Sequence, residues 1–330
     1  MSTAGTSLRI GIVAPRTTTA RAGNAQTARR YAGFFRSAGH RVTLTESWLG
    51  KPFDLLVALH AKKSAASVLA FRKAYPGLPI VLVLTGTDIY QDLPRSRAAR
   101  DAIKAASALV TLQEDAITLL PPGARHKTEA IVQSAQAAAV VKRRPRDDGV
   151  LRVCVLGHLR NVKDPLRIAY ALRLIPRDVP VAVTQAGAPL EERYAQAARQ
   201  LERKDSRYRW LGDVAHARAM RLLAESDLFA LPSRKEGGAN TMSEAIAAGV
   251  AVIASRISGN VGVLGDDYPG YFTAGSTREC AAMLHQCATD AAFLATLRRR
   301  VCALRPLVQP ARERRLWLQL VNRVAHRETR

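Results

Sequence analysis

Three observations place this chain in the α/β class, as two Rossmann-like, doubly wound parallel-sheet domains facing a cleft. Short apolar, β-branched runs alternate with longer amphipathic segments through most of its 330 residues. The alternation breaks at "AQAAAVVKRRPRDDG", residues 135–149, and then restarts. Alternation of strands with helices, the strands being β-branched buried runs, suits parallel sheets covered by helices on both faces.

In the first half the candidate strands are residues 8–14, 41–45, 53–59, 79–84, 107–112 and 128–132, with helical patterns such as 25–38 and 64–75 between them. The 135–149 stretch carries a proline and clustered charges between apolar runs, the composition of a linker. Strand patterns then recur at 150–156, 179–184, 208–211, 227–231 and 250–254, again separated by helices. These patterns divide the chain into domains at 1–140 and 150–305. A last segment, 306–330, carries a helix pattern over 310–326 that is expected to pack back across the domain junction.

Bulk composition narrows the function classes. The length suits two ordinary domains, and an apolar content of 48% supports packed cores. No apolar run reaches eighteen residues, and "MSTAGTSLRIGIVAPR" lacks the basic start of a secretory signal, so a cytoplasmic protein without membrane contact is expected. Cys154, Cys280, Cys287 and Cys302 form no C-x-x-C pair and read as reduced structural thiols. Fifty Lys and Arg against 27 Asp and Glu leave a net charge of +23, which favours anionic partners. The arginines are scattered and aromatics amount to 5%, so no base-stacking platform and no specific nucleic-acid partner is expected.

Topology selects the loops that matter. In a sheet ordered 3-2-1-4-5 the first and fourth strands are neighbours, and ligands bind beyond their carboxyl ends. In the second half those ends lead into "GHLRNVK" and "PSRKEGGANTMSE"; in the first half, into "PRTTTARAGNAQTARR" and "TGTDIY". A helix beginning near Gly238–Asn240 would offer unpaired amides and a positive dipole end to phosphate, and glycines let a ligand reach the backbone. Glu244, one turn in, and Glu236, on the loop before, are carboxylates that suit vicinal hydroxyls. His158, Arg160 and Lys163 on the facing loop would neutralise a diphosphate. Taken singly, the two acids also read as ordinary helix-start carboxylates and Lys163 as a solvated lysine. No D-x-D occurs, so no metal and no cofactor is expected.

The second half resembles the two-Rossmann (GT-B) glycosyltransferases. The shared marks are E-x(7)-E at Glu236 and Glu244, "LPS" before it, "AIAAGVAVIAS" after it, and six residues from Gly157 to Lys163. That resemblance implies that Glu244 binds ribose, that Glu236 with Gly237, Gly238, Ala239 and Asn240 meets the donor sugar, and that Gly157 and Lys163 meet the diphosphate. His158 stands where the family usually has arginine, and Arg160 is the substitute.

A narrower resemblance spans nearly the whole chain. "GNAQTARRYA", "ALHAKKSA", "LTGTDIYQDL", "GHLRNVKDP", "YRWLG", "PSRKEGGAN" and "SRISGNVGVLG" are similar to the selenosugar synthases of selenoneine biosynthesis. This implies transfer of a hexose, GlcNAc or glucose, from a UDP-sugar to selenophosphate, with a carbon–selenium bond formed and UDP and phosphate released. It makes 1–140 the acceptor domain and 150–305 the nucleotide-sugar domain.

A small, highly charged acceptor needs cations and amide donors. Arg16, Arg21, Gly23, Asn24, Thr27, Arg30, His60, Lys62, Lys63, Thr85, Gly86, Thr87 and Asp88 supply them on the N-terminal loops. Of these, Gly23, Asn24, Thr27, His60 and the Thr85–Asp88 loop are assigned to the acceptor, and His60 or Asp88 to steering the water that removes phosphate. His60 also reads as a satisfied strand-end histidine, and the lysines as a solvated face. A selenium anion needs no general base, so catalysis is expected from positioning and from stabilising UDP as it leaves, with Lys163 and Glu236 central. The rivals are a conventional transferase with a hydroxyl acceptor, a sugar-nucleotide epimerase, and a basic nucleic-acid-binding protein.

Overall fold

The computed structural model describes residues 7–15, 23–136 and 148–327. Arg16, Arg21 and most of the 135–149 linker lie outside the described residues. The chain divides into two compact units, Met1–Gln133 with Pro310–Arg330, and Ser134–Gln309. Each is built on a six-stranded sheet whose strand pairs are all parallel.

In the first unit the elements run β1 (Arg9–Val13), α1 (Gly23–Arg36), β2 (Arg41–Thr45), β3 (Leu55–Leu59), α2 (Ala65–Ala74), β4 (Ile80–Leu84), a π-turn (Asp88–Asp92), α3 (Arg97–Ala105), β5 (Ala108–Thr111), two single turns α4 (Asp115–Thr118) and α5 (Pro122–Arg125), and β6 (Thr128–Ala130). Strand order is β2-β1-β3-β4-β5-β6, so β1 is flanked by β2 and β3 and not by β4. The predicted 3-2-1-4-5 order is corrected here.

The reason lies in the strands themselves. β2, "RVTLT", is only partly buried and stays at the edge, whereas every residue of β3, "LLVAL", is buried. Phe53, just ahead of β3, lies where a Cβ on Gly11 would come within 2.3 Å of its ring, so the bare glycine of β1 makes room for it. The switch-point loops of this unit are therefore those after β1 and β3.

Alternation along β3 and β4 builds two cores, one per face. Leu56, Ala58, Leu82 and Leu84 pack with Val68 and Phe71 of α2, while Leu55, Val57, Leu59, Val81 and Val83 pack with α1. The second face is closed by the last helix, Pro310–Arg327. Its Trp317 is fully buried against Tyr31 and Phe35 of α1, at centroid distances of 4.3 and 5.7 Å. Glu313, also fully buried, pairs with Arg30 at 3.0 Å.

The second unit runs β7 (Leu151–Leu156), α6 (Arg167–Leu172), β8 (Val181–Ala186), α7 (Glu192–Lys204), β9 (Tyr208–Trp210), α8 (His216–Glu225), β10 (Leu228–Leu231), α9 (Asn240–Ala248), β11 (Ala251–Ser255), α10 (Ser258–Leu264), β12 (Tyr271–Phe272), α11 (Thr277–Thr289) and α12 (Ala291–Ala303). Its order is β12-β11-β10-β7-β8-β9, the predicted arrangement with one strand more. β7 and β10 are hydrogen-bonded neighbours, with Val153 opposite Leu228, so the loops after them share the switch point. No described helix is long and apolar enough to cross a membrane.

Candidate functional site

In the second unit the site is assembled by two loops bound to each other through the backbone. The Arg234 amide, in the loop after β10, donates to the Val162 carbonyl, in the loop after β7, at 2.8 Å. Gly157 ends β7 with φ +149, a conformation that favours glycine. Gly187, after β8, has φ +156, and a Cβ there would stand 1.9 Å from the Gly157 carbonyl oxygen. Both glycines are therefore required where two loops cross at the sheet's carboxyl edge.

Asn161–Lys163 form one tight turn, after which Asp164 takes a left-handed conformation (φ +44) and turns the chain toward α6. Asp164 is buried and is held by Arg167 at 2.9 Å and by Arg234 at 3.5 Å. This carboxylate clamps the two loops together. The stem of Lys163 runs beside Gly157, where an added Cβ would be in ordinary van der Waals contact with it, and its ammonium bonds to Glu236 Oε1. The Ser233 hydroxyl donates to the same oxygen at 2.6 Å.

Gly237 and Ala239 are buried, Gly238 and Asn240 partly so, and no side chain caps the start of α9 at Ala239. Glu244 lies one turn into α9, 9% exposed, with His216 Nε2 3.8 Å from its Oε1. The sequence-selected Gly157, Lys163 and Glu236 thus converge, with Glu244 further along on α9. His158 stays close, accepting the Ala188 amide on Nδ1 at 3.3 Å, whereas Arg160 is exposed. Such a set can neutralise a diphosphate with an ammonium, present backbone at a helix start, and hydrogen-bond sugar hydroxyls with carboxylates.

The first unit gathers a separate group at the ends of β3 and β4. His60 has φ +75 and is 2% exposed. Burial pulls its pKa below the ordinary imidazole value, and nearby Lys63 does the same, while Asp88 and Asp92 act in the opposite sense. Its Nε2 is 3.1 Å from the Thr87 hydroxyl and 3.8 Å from Asp92, which also pairs with Lys62 at 3.0 Å.

Asp88 is fully buried and accepts from the amides of Ala61, Thr85, Gly86 and Ile89 at 2.7–3.2 Å. That use is architectural: the carboxylate ties the β3 and β4 loops into one surface. Gly23 is exposed and Asn24 half-buried at the start of α1. The Thr27 hydroxyl is buried and donates to Gln133 at 2.7 Å, so it is engaged within the unit.

Ser233, Asp164, Asp92 and His216 were not singled out from the sequence. Asp92 had a signal, its i+4 spacing from Asp88, which in a turn brings both carboxylates to His60. Ser233 stood inside the "LPS" motif without a role. Among the described residues no group of His, Cys, Asp and Glu could hold a metal ion.

Residues 138–288 match the family model "Glycosyl transferases group 1". No curated protein matches the chain in sequence. Among solved structures it is similar to Anabaena HepE in complex with UDP and glucose, at TM-score 0.74 and 16% identity over 96% of this chain and 100% of that one. It is similar also to sucrose-phosphate synthase from Thermosynechococcus elongatus (0.77, 13%, 96% and 98%). A third is the E. coli trehalose-6-phosphate structure bound with UDP-2-fluoro glucose (0.73, 11%, 96% and 99%). At these identities the likeness speaks for the fold. With its two six-stranded parallel units the chain has the GT-B fold of these structures, and residues 138–288 match the group 1 glycosyltransferase family model.

Proposed function

We propose that the protein is a selenosugar synthase, moving a hexose, GlcNAc or glucose, from a UDP-sugar to selenophosphate. The observation that carries the donor half is the bond between Lys163 and Glu236, in loops that lead from Gly157 and into α9, which bears Glu244 one turn in. Structures of the same fold in complex with UDP and glucose, or bound with UDP-2-fluoro glucose, support a UDP-sugar donor. The acceptor half rests on the sequence likeness and on the polar loop surface of the first unit around His60, Thr85, Gly86 and Thr87.

In the reaction a selenium lone pair forms the bond to the anomeric carbon as the carbon–oxygen bond to UDP breaks. The electron pair leaves on the diphosphate, where the Lys163 ammonium and the α9 start stabilise it. Water then adds to phosphorus as the P–Se bond breaks, giving phosphate and the selenosugar. His60, kept uncharged near neutral pH by burial, orients that water; Asp88 shapes the loop that holds it.

The second reading, a transferase acting on a hydroxyl, has one observation in its favour. An uncharged His60 beside Asp92 has the character of a general base, which a hydroxyl needs and a selenium anion does not. Mass spectrometry of UDP-GlcNAc and UDP-glucose incubated with and without selenophosphate separates the two. A selenium-bearing hexose formed together with UDP and phosphate supports the proposal. UDP released at the same rate without selenophosphate overturns it.

A further inference from the structure

The Lys163–Glu236 pair raises a problem for the donor reading, on which this inference rests. An ammonium bonded to a carboxylate is not fully available to a diphosphate, and a largely buried carboxylate stripped of its donor is costly to leave behind. Glu236 is 9% exposed on its side chain, so the cost falls on it when Lys163 turns away.

The structure supplies a second donor to the same oxygen. The Ser233 hydroxyl reaches Oε1 at 2.6 Å, and Ser233 is fully buried. Its carbonyl accepts the hydroxyl of Ser255, which is also fully buried. The Ser255 carbonyl accepts Asn260 Nδ2 at 2.8 Å, and the Asn260 carbonyl accepts the Tyr271 hydroxyl at 3.3 Å. Beside this chain, a Cβ on Gly259 would lie 1.9 Å from the Glu236 carbonyl oxygen, so α10 seats directly on the Glu236 backbone. One of the two donors on Oε1 is thus anchored in the core, and the other rides on a long flexible stem.

We infer that Ser233 is a positioning residue: it aims Glu236 and keeps Oε1 hydrogen-bonded while Lys163 transfers to the donor's diphosphate. Glu236 and the diphosphate then compete for one ammonium, and Ser233 sets the terms of that competition. Removing the hydroxyl leaves Lys163 as the only donor on Oε1 among the described residues and ties it there. Removing the carboxylate charge releases Lys163 and makes Ser233 irrelevant to nucleotide binding.

Calorimetry with UDP, which lacks the sugar, reads this directly. Ser233→Ala is expected to weaken UDP binding about tenfold or more, the loss of one hydrogen bond to a charged group. Glu236→Gln is expected to tighten it about threefold or more, and Ser233→Ala added to Glu236→Gln to change it by less than about twofold. Equal losses from Ser233→Ala in both backgrounds would mean a loop-packing role and overturn the inference. So would a Glu236→Gln protein that binds UDP more weakly than the wild type. Should Ser233→Ala fail to fold, Ser233→Cys, of similar size with a much weaker donor, must show the same direction. A wild type that binds neither UDP nor a UDP-sugar removes the donor reading itself, a result distinct from either of these.

Discussion

His60 shows how a single position can be chemically set by burial. It sits in a left-handed conformation uncommon for a side-chain-bearing residue, enclosed by the loop that Asp88 organises. Because burial is the largest influence and holds its pKa down, the folded protein resists protonating it, while the unfolded chain takes the proton near pH 6.5. Acid therefore favours unfolding: stability is kept above about pH 6.5 and falls below it, by at most about 1.4 kcal/mol per pH unit for this one group. Asp88, Asp92, Lys62 and Lys63 are the charged groups around it. Thermal melting of wild type and His60→Asn from pH 7.5 to 5 is expected to show a shallower decline in the variant. Part of the decline remains, because His40 is held down by burial in the same way. Superimposable declines would mean that His60 titrates as it does in water. The sequence named His60 from its place after an apolar strand, but not its burial. The enclosing contacts depend on a π-turn at Asp88–Asp92 that no periodicity announces.

Elements were legible where composition and position agree. "LLVAL" and "IVLVL" can only be central strands, and they are buried throughout. The order of the first sheet was misread because strand succession alone cannot tell which side of β1 the third strand takes. The clue was the polar alternation of "RVTLT", an edge pattern, together with Gly11 opposite Phe53. In the second unit the switch point fell where predicted because β7 and β10 are both wholly apolar at their carboxyl ends and both run into glycine-containing loops.

The crossing of those loops yields a prediction at this scale. Gly187→Ala adds a Cβ 1.9 Å from the Gly157 carbonyl on a backbone at φ +156. The β8 loop must then move off the β7 loop, and UDP affinity is expected to fall about tenfold or more, with destabilisation of about 1–3 kcal/mol. Calorimetry and denaturant melts check it. Unchanged affinity would show that the glycine crossing does not shape the nucleotide site.

Across the whole molecule, the net charge of +23 was the least informative number. Ion pairs use acids that this number has already subtracted, so Arg167 and Arg234 on Asp164, Arg207 on Asp205, Arg300 on Asp267 and Arg30 on Glu313 leave the excess unchanged. These pairs fasten loops and helices. The positive character that matters to the proposed chemistry is confined to a few positions, chiefly Lys163. The acid pair at Glu236 and Glu244 was readable because its spacing is tied to a helix start, whereas Ser233 gains its meaning only once Glu236 is seen folded back onto it.

The proposed chemistry requires the second unit to bind a UDP-sugar between these loops, with Glu244 gripping the ribose. Titration calorimetry of UDP-GlcNAc and UDP-glucose into wild type and Glu244→Ala tests that claim most directly. Stoichiometric binding by the wild type is expected, with a loss of at least about tenfold, about 1.4 kcal/mol, in the variant at an unchanged melting temperature. Equal affinities in a folded Glu244→Ala protein would contradict it.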